Sequence, residues 1–162
     1  MAKLFVMRHA EAAQSAPTDA ERPLTARGEQ QCESAAQYLL ANNFNQNDCI
    51  TLVHSPYVRT TQTSKILLNR LTAHSINVNV SANKVLVESG GVRAIVQWLI
   101  ETYENDGELA DDLTLFLVSH QPIVADLVAW LIEGSSKYRS NYPMMPASLA
   151  ELDLQTLSLI HI

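Results

Sequence analysis

The chain has 162 residues, 47% hydrophobic and 17% charged, which suits one domain over residues 1–162 with enough interior to need no staples. A formal charge of -6 and a pI near 5.3 speak against nucleic acid or an anionic membrane as main partner, since both reward basic surfaces. No stretch approaches the roughly 20 apolar residues of a membrane span and the first residues lack the order of a signal peptide, so a reducing cytoplasm is the simplest location.

Residues 3–7 form a short apolar run, β-branched and aromatic, that reads as a buried strand and stops at Arg8-His9. A loop from Ala10 to Leu24 follows, small and polar with Pro17 and Pro23, long enough to suggest a functional role. Thr25 has the position of a helix cap, and Cys32, Ala35, Ala36, Leu39 and Leu40 recur as one helical face, with Asn42-Asn43 as the stop. Cys32 and Cys49 share no C-x-x-C spacing; neither a metal cage nor a disulfide is indicated, and both read as buried thiols.

A second strand runs from Cys49 to His54 and is closed by Ser55-Pro56. The helix expected from Tyr57 to Leu71 opens directly after it and carries Arg59 in its first turn. Val78–Val80 is a further strand candidate, residues 84–87 read as extended up to Glu88, and Gly90-Gly91 precedes an amphipathic helical set from Val92 to Tyr103. Asn105 to Asp112 reads as an acidic loop. Leu113–Val118 is the most apolar strand and ends in Ser119-His120-Gln121-Pro122, with a helix lined by Val124, Leu127, Val128, Leu131 and Ile132 beyond it. Residues 134–147 form a second long loop, and two short alternating strands at 149–154 and 157–161 complete the reading.

Alternation of strand and helix predicts an α/β fold, a three-layer α/β/α sandwich with a mostly parallel sheet. The last two strands lie too close together for a crossover helix, which predicts an antiparallel strand at one edge. Ligand chemistry in such sheets collects beyond the carboxyl ends of the strands. Three strand ends there carry polar residues: Arg8-His9, His54-Ser55 with Arg59 just beyond, and Ser119-His120. A neutral imidazole is a competent nucleophile near neutral pH, and guanidinium forks hold phosphoryl oxygens without titrating. Phosphoryl transfer asks mainly for positioning and for neutralised oxygens. His9 is therefore the candidate nucleophile. A zinc reading through His9-x-Glu11 lacks the downstream Pro-Cys-x-x-Cys that a deaminase needs.

The segments Arg8-His9-Ala10, Leu24-Thr25-x-x-Gly28, Ser55-Pro56-x-x-Arg59-x-x-Gln62-Thr63 and Val118-Ser119-His120-x-Pro122 agree in order and spacing with a known pattern. In them the chain resembles the histidine phosphatase superfamily, whose fold is phosphoglycerate mutase-like. The short length and the run Arg22-Pro23-Leu24-Thr25 are most similar to SixA-type phosphohistidine phosphatases. The resemblance implies that His9 is phosphorylated, that Arg8, Arg59 and His120 clamp the phosphoryl group, and that Arg22 adds a contact from the loop.

It also implies a phosphohistidine-bearing partner, from a phosphorelay or phosphotransferase protein, and no cofactor or metal. Two departures stand out. Ala10 replaces the usual glycine, which implies no demanding positive φ there. The insertion that carries a general acid in larger members is missing, leaving Glu88 as the nearest weak candidate. Imidazole is a less basic leaving group than an alkoxide, so a site short of a general acid favours P–N over P–O cleavage. The rivals are a small-molecule phosphomonoesterase or mutase, and a module that binds a phosphorylated partner without turnover.

Overall fold

The computed structural model describes residues 1–87, 91–155 and 157. Its sheet has the order β3-β2-β6-β1-β7, built from β1 (Ala2–Arg8), β2 (Cys49–His54), β3 (Asn77–Ala82), β6 (Thr114–Ser119) and β7 (Leu149–Leu154). The four strands from β3 to β1 are parallel, whereas β7 runs antiparallel to β1 at the edge. This is the mixed α/β sheet read from the sequence.

Both faces of the inner strands are covered, which is why their sequences are continuously apolar rather than alternating. Because successive side chains point to opposite faces, Leu4 and Val6 of β1 and Leu115 and Leu117 of β6 enter one core with Ile95, Leu99, Val124, Leu127 and Val128. Those partners lie on α3 (Gly91–Tyr103) and α4 (Ile123–Glu133). Phe5, Met7, Phe116 and Val118 enter the other, against Ala36 and Leu39 of α1 (Ala26–Asn42) and Leu67 and Leu71 of α2 (Val58–Ala73). Phe5 stacks on Phe116 with ring centroids 5.5 Å apart.

Thr25 caps α1 by accepting from the Gly28 amide at 3.0 Å. Gly28 is needed for contact: a Cβ there would come within 2.1 Å of the Glu11 carbonyl oxygen. The first helical turn can therefore lie directly on the loop that follows His9.

Three local readings are corrected. Residues 84–86 form a 3-10 turn instead of an extended segment, because the Asn83 side chain accepts from the Val85 amide and Leu86 is fully buried in the core with Val85 packed against it. Within the expected acidic loop lies a small hairpin, β4 (Glu104–Asn105) with β5 (Glu108–Leu109), turned by Asp106-Gly107 at φ 51° and 82°. Cys32 is buried but Cys49 is exposed, since the first residue of β2 projects past the helical layers at the opposite end from the candidate site. Residues 134–147 contain a 3-10 stretch over Ser136–Asn141, entered through Gly134 at φ 71°. Of the proposed strand at 157–161 only Leu157, which is buried, falls within the described residues.

Candidate active site

The carboxyl ends of β2, β6 and β1 converge because these strands are neighbours in register. Arg8 stands opposite Ser119, and His54 opposite Val118. The His9 amide donates to the Ser119 carbonyl at 3.0 Å, while on the other side of β6 the Ser55 amide donates to Val118 at 3.1 Å. One central strand thus sets the height of His9, Ser55 and His120 together. Arg59 arrives from the first turn of α2, and Thr63 fixes that turn by donating to the Arg59 carbonyl at 2.7 Å and accepting from the Ala10 amide at 3.2 Å. Gln62 accepts from the Leu24 amide at 2.7 Å, holding the far end of the loop. Ala10 is absent from the positive-φ residues, so the missing glycine leaves no strain here.

His9 is buried, and its ring nitrogens are distinguished by their partners. Nδ1 lies 2.7 Å from the Ala10 carbonyl oxygen, which only accepts, so Nδ1 carries the proton. Nε2 is bare and accepts from Arg59 Nε at 3.2 Å. Burial, reinforced by the charges of Arg59, Arg8 and Arg22, pushes the imidazole down to about 4 despite its bond to Ala10. It therefore stays neutral with its lone pair beside a guanidinium, the state a nucleophile requires.

Arg59 is only 6% exposed, although a charged group seldom lies so deep without partners. Its other nitrogens reach Asp19: one donates to the backbone oxygen at 2.6 Å and one to Oδ2 at 3.0 Å. The second carboxylate oxygen accepts from Arg22 at 2.8 Å, and Arg22 Nε donates to the Ala13 carbonyl at 2.6 Å. An exposed carboxylate thus bridges both guanidiniums, and hydrogen bonds from Arg22 and then Arg59 hold it below the usual carboxylate range. The arrangement already binds one oxyanion, contributed by the chain itself.

His120 closes the group. Its ring centroid is 5.3 Å from that of His9 and 4.8 Å from Tyr57, above which the Arg59 guanidinium lies at 4.9 Å. Burial, then the charges of Arg59 and His9, push its imidazole down to about 3.

The sequence-named residues His9, Arg22, Arg59 and His120 are therefore gathered around one another. Arg8 is at the strand end beside them, with one guanidinium nitrogen donating to the Met144 carbonyl at 3.0 Å, and its charge reaches His9. Glu88 lies outside the described residues. His54 bonds the Ser55 carbonyl through Nδ1 at 2.7 Å, and Glu11 accepts from Thr25 and pairs with Arg27 rather than with His9 or Arg59. His74 is exposed at the end of α2. Among the described residues, no group of three His, Cys, Asp or Glu side chains could hold a metal ion. Sequence reasoning placed Ser55 at this edge without a partner and missed Asp19, Tyr57 and Thr60 as members of the site. For Asp19 the signal was present, an acid three residues before Arg22 in an otherwise small and polar loop.

Residues 4–89, just over half of the chain, match the family described as histidine phosphatase superfamily, branch 1. The chain belongs to the histidine phosphatase superfamily. An uncharacterised protein of Picosynechococcus sp. is 32% identical over 141 residues, covering 86% of this chain and 78% of that one. Solved structures share the fold at lower identity. Protein histidine phosphatase SixA complexed with tungstate superposes with a TM-score of 0.72 at 24% identity, over 94% of this chain and 88% of that one. The mycobacterial glucosyl-3-phosphoglycerate phosphatase with VO3 gives 0.66 at 18%, over 94% and 91%.

Proposed function

We propose that this protein is a phosphohistidine phosphatase that dephosphorylates a phosphorelay or phosphotransferase partner through a covalent phospho-His9 intermediate, without a metal ion. The observation that carries the reading is the bare His9 Nε2 held 3.2 Å from Arg59 Nε, its tautomer set by the Ala10 carbonyl. In the first step the Nε2 lone pair attacks phosphorus in line. The P–N bond to the partner's imidazole breaks, and that ring leaves with the bonding pair and takes up a proton. Arg59, Arg22, Arg8 and His120 stabilise the charge that spreads over the phosphoryl oxygens. Water then attacks phospho-His9, releasing inorganic phosphate and restoring the neutral imidazole.

Two features favour P–N over P–O cleavage. Asp19, the carboxylate bonded to the clamp, is held ionised by Arg22 and Arg59 and is a poor proton donor. His9 is neutral near pH 7 and turns a bare nitrogen to the phosphoryl group, so it has no proton to give an alkoxide leaving group. A cytoplasmic setting accords with the absence, among the described residues, of any helix long and apolar enough to cross a membrane. The second reading is a small-molecule phosphomonoesterase, favoured by the fold shared with the sugar-phosphate phosphatase. A panel of phosphohistidine proteins, sugar phosphates and aryl phosphates separates the two: faster phosphate release from phosphohistidine supports the proposal, and preference for the esters overturns it.

A further inference from the structure

The bonds behind His120 contain more information than a clamp requires. Ser55 Oγ, fully buried, lies 2.5 Å from His120 Nε2 and 2.7 Å from Thr60 Oγ1. Thr60 Oγ1 in turn lies 2.8 Å from the Ser55 carbonyl oxygen and 2.9 Å from that of Tyr57. A hydroxyl has one proton, and carbonyl oxygens can only accept. The Thr60 proton therefore goes to the carbonyls, since any other placement leaves oxygen lone pairs facing each other at these distances. Its own lone pairs then receive the Ser55 proton. Ser55 can offer His120 only a lone pair, so Nε2 must carry the hydrogen. His120 Nδ1 is bare and buried, and has no partner among the described residues.

A bare nitrogen cannot donate to a phosphoryl oxygen. We propose that Ser55 and Thr60 are positioning residues that hold His120 in its Nε2–H tautomer, so that a phosphoryl anion is captured together with one proton taken up at Nδ1. This rests on the phosphoryl site proposed above and adds the protonation state in which that site accepts its ligand. The proton comes from solvent or from a monoanionic phosphoryl group, and the resulting imidazolium donates through both nitrogens, to Ser55 and to the anion. Without an anion the cation is opposed by Arg59 and Arg22, with Asp19 favouring it among the described residues and the neutral Tyr57 ring alongside. A bound dianion reverses that balance.

The test uses tungstate, an unprotonated dianion near neutral pH, titrated calorimetrically between pH 5.5 and 8.5 in buffers of different ionisation enthalpy. The expected result is one proton taken up per tungstate and an affinity falling about tenfold per pH unit. Ring nitrogen NMR should show His120 as the Nε2–H tautomer in free protein and as imidazolium in the complex. Thr60→Val frees the Ser55 proton for Nε2, moves the ring proton to Nδ1, and should reduce both uptake and pH slope towards zero. Ser55→Ala should do the same by removing the acceptor of Nε2. An Nδ1–H tautomer in the free wild type, or pH-independent tungstate binding, overturns the proposal without either variant having to fold. Phosphate release and label on His9 would survive that result, whereas failure of the phosphatase reading would remove them; a wild type that binds no tungstate removes both.

Discussion

At the scale of single residues, the site depends on a neutral imidazole held against a buried guanidinium. His9 is kept neutral largely by its burial, and Arg59 remains a cation deep in the protein because Asp19 and the His9 lone pair share its hydrogens. His9→Ala should abolish phosphate release while far-UV circular dichroism stays unchanged, and labelled phosphate trapped from substrate should be found on no other residue. Arg59→Ala should lower kcat/KM by about a thousandfold, the scale of losing a preorganised donor. Arg59→Lys should recover little, because an ammonium cannot reproduce a planar fork that meets His9 and Asp19 at once. Steady-state rates on a phosphohistidine protein check both variants.

The elements explain why these residues meet, and here the sequence was unevenly informative. The strands ending at Arg8, His54 and Ser119 were legible because burial on both faces leaves an apolar run with a polar stop. The α1 cap was legible because Thr25 has a local job that needs no tertiary knowledge. Only the Arg22 side of the Asp19 bridge was, since its other partner Arg59 lies 40 residues away and nothing local to Asp19 indicates that approach. The hydroxyl chain from Thr60 to His120 was hidden for the same reason: each residue suits an ordinary helix start, and its meaning lies in who carries the proton. Residues 84–87 misled because Val85, Leu86 and Val87 followed by an acid imitate a strand, when Leu86 alone of the three is fully buried. Contact across elements also makes a prediction. Gly28→Ala would force α1 away from the Glu11 backbone; stability should fall by about 1–3 kcal/mol, as in overpacked interiors, with the midpoint of urea unfolding as the measurement.

Across the whole molecule, the buried imidazoles make stability depend on pH. His9 and His120 sit at about 4 and about 3 when folded, below the ordinary value of 6.5 that they regain on unfolding. The unfolded chain therefore binds more protons, and stability rises with pH through this range. Their contribution is complete above about pH 6.5 and is lost progressively as acid takes the solution down towards pH 4 and 3. The thermal midpoint should fall steeply below pH 6, and His120→Asn should flatten part of that fall. A midpoint insensitive to pH between 4 and 6.5 would contradict the burial assigned to both rings.

Strand order carries a further consequence. The first strand finds its neighbours only in residues 114–119 and 149–154, and the amide of Ala147 donates to the carbonyl of His9 at 3.1 Å. While a ribosome is still making the middle of the chain, His9 is already translated but neither strand that β1 pairs with has yet emerged. Competence to strip phosphate and completion of the sheet must arrive together, so nascent or truncated copies are silent rather than partly active.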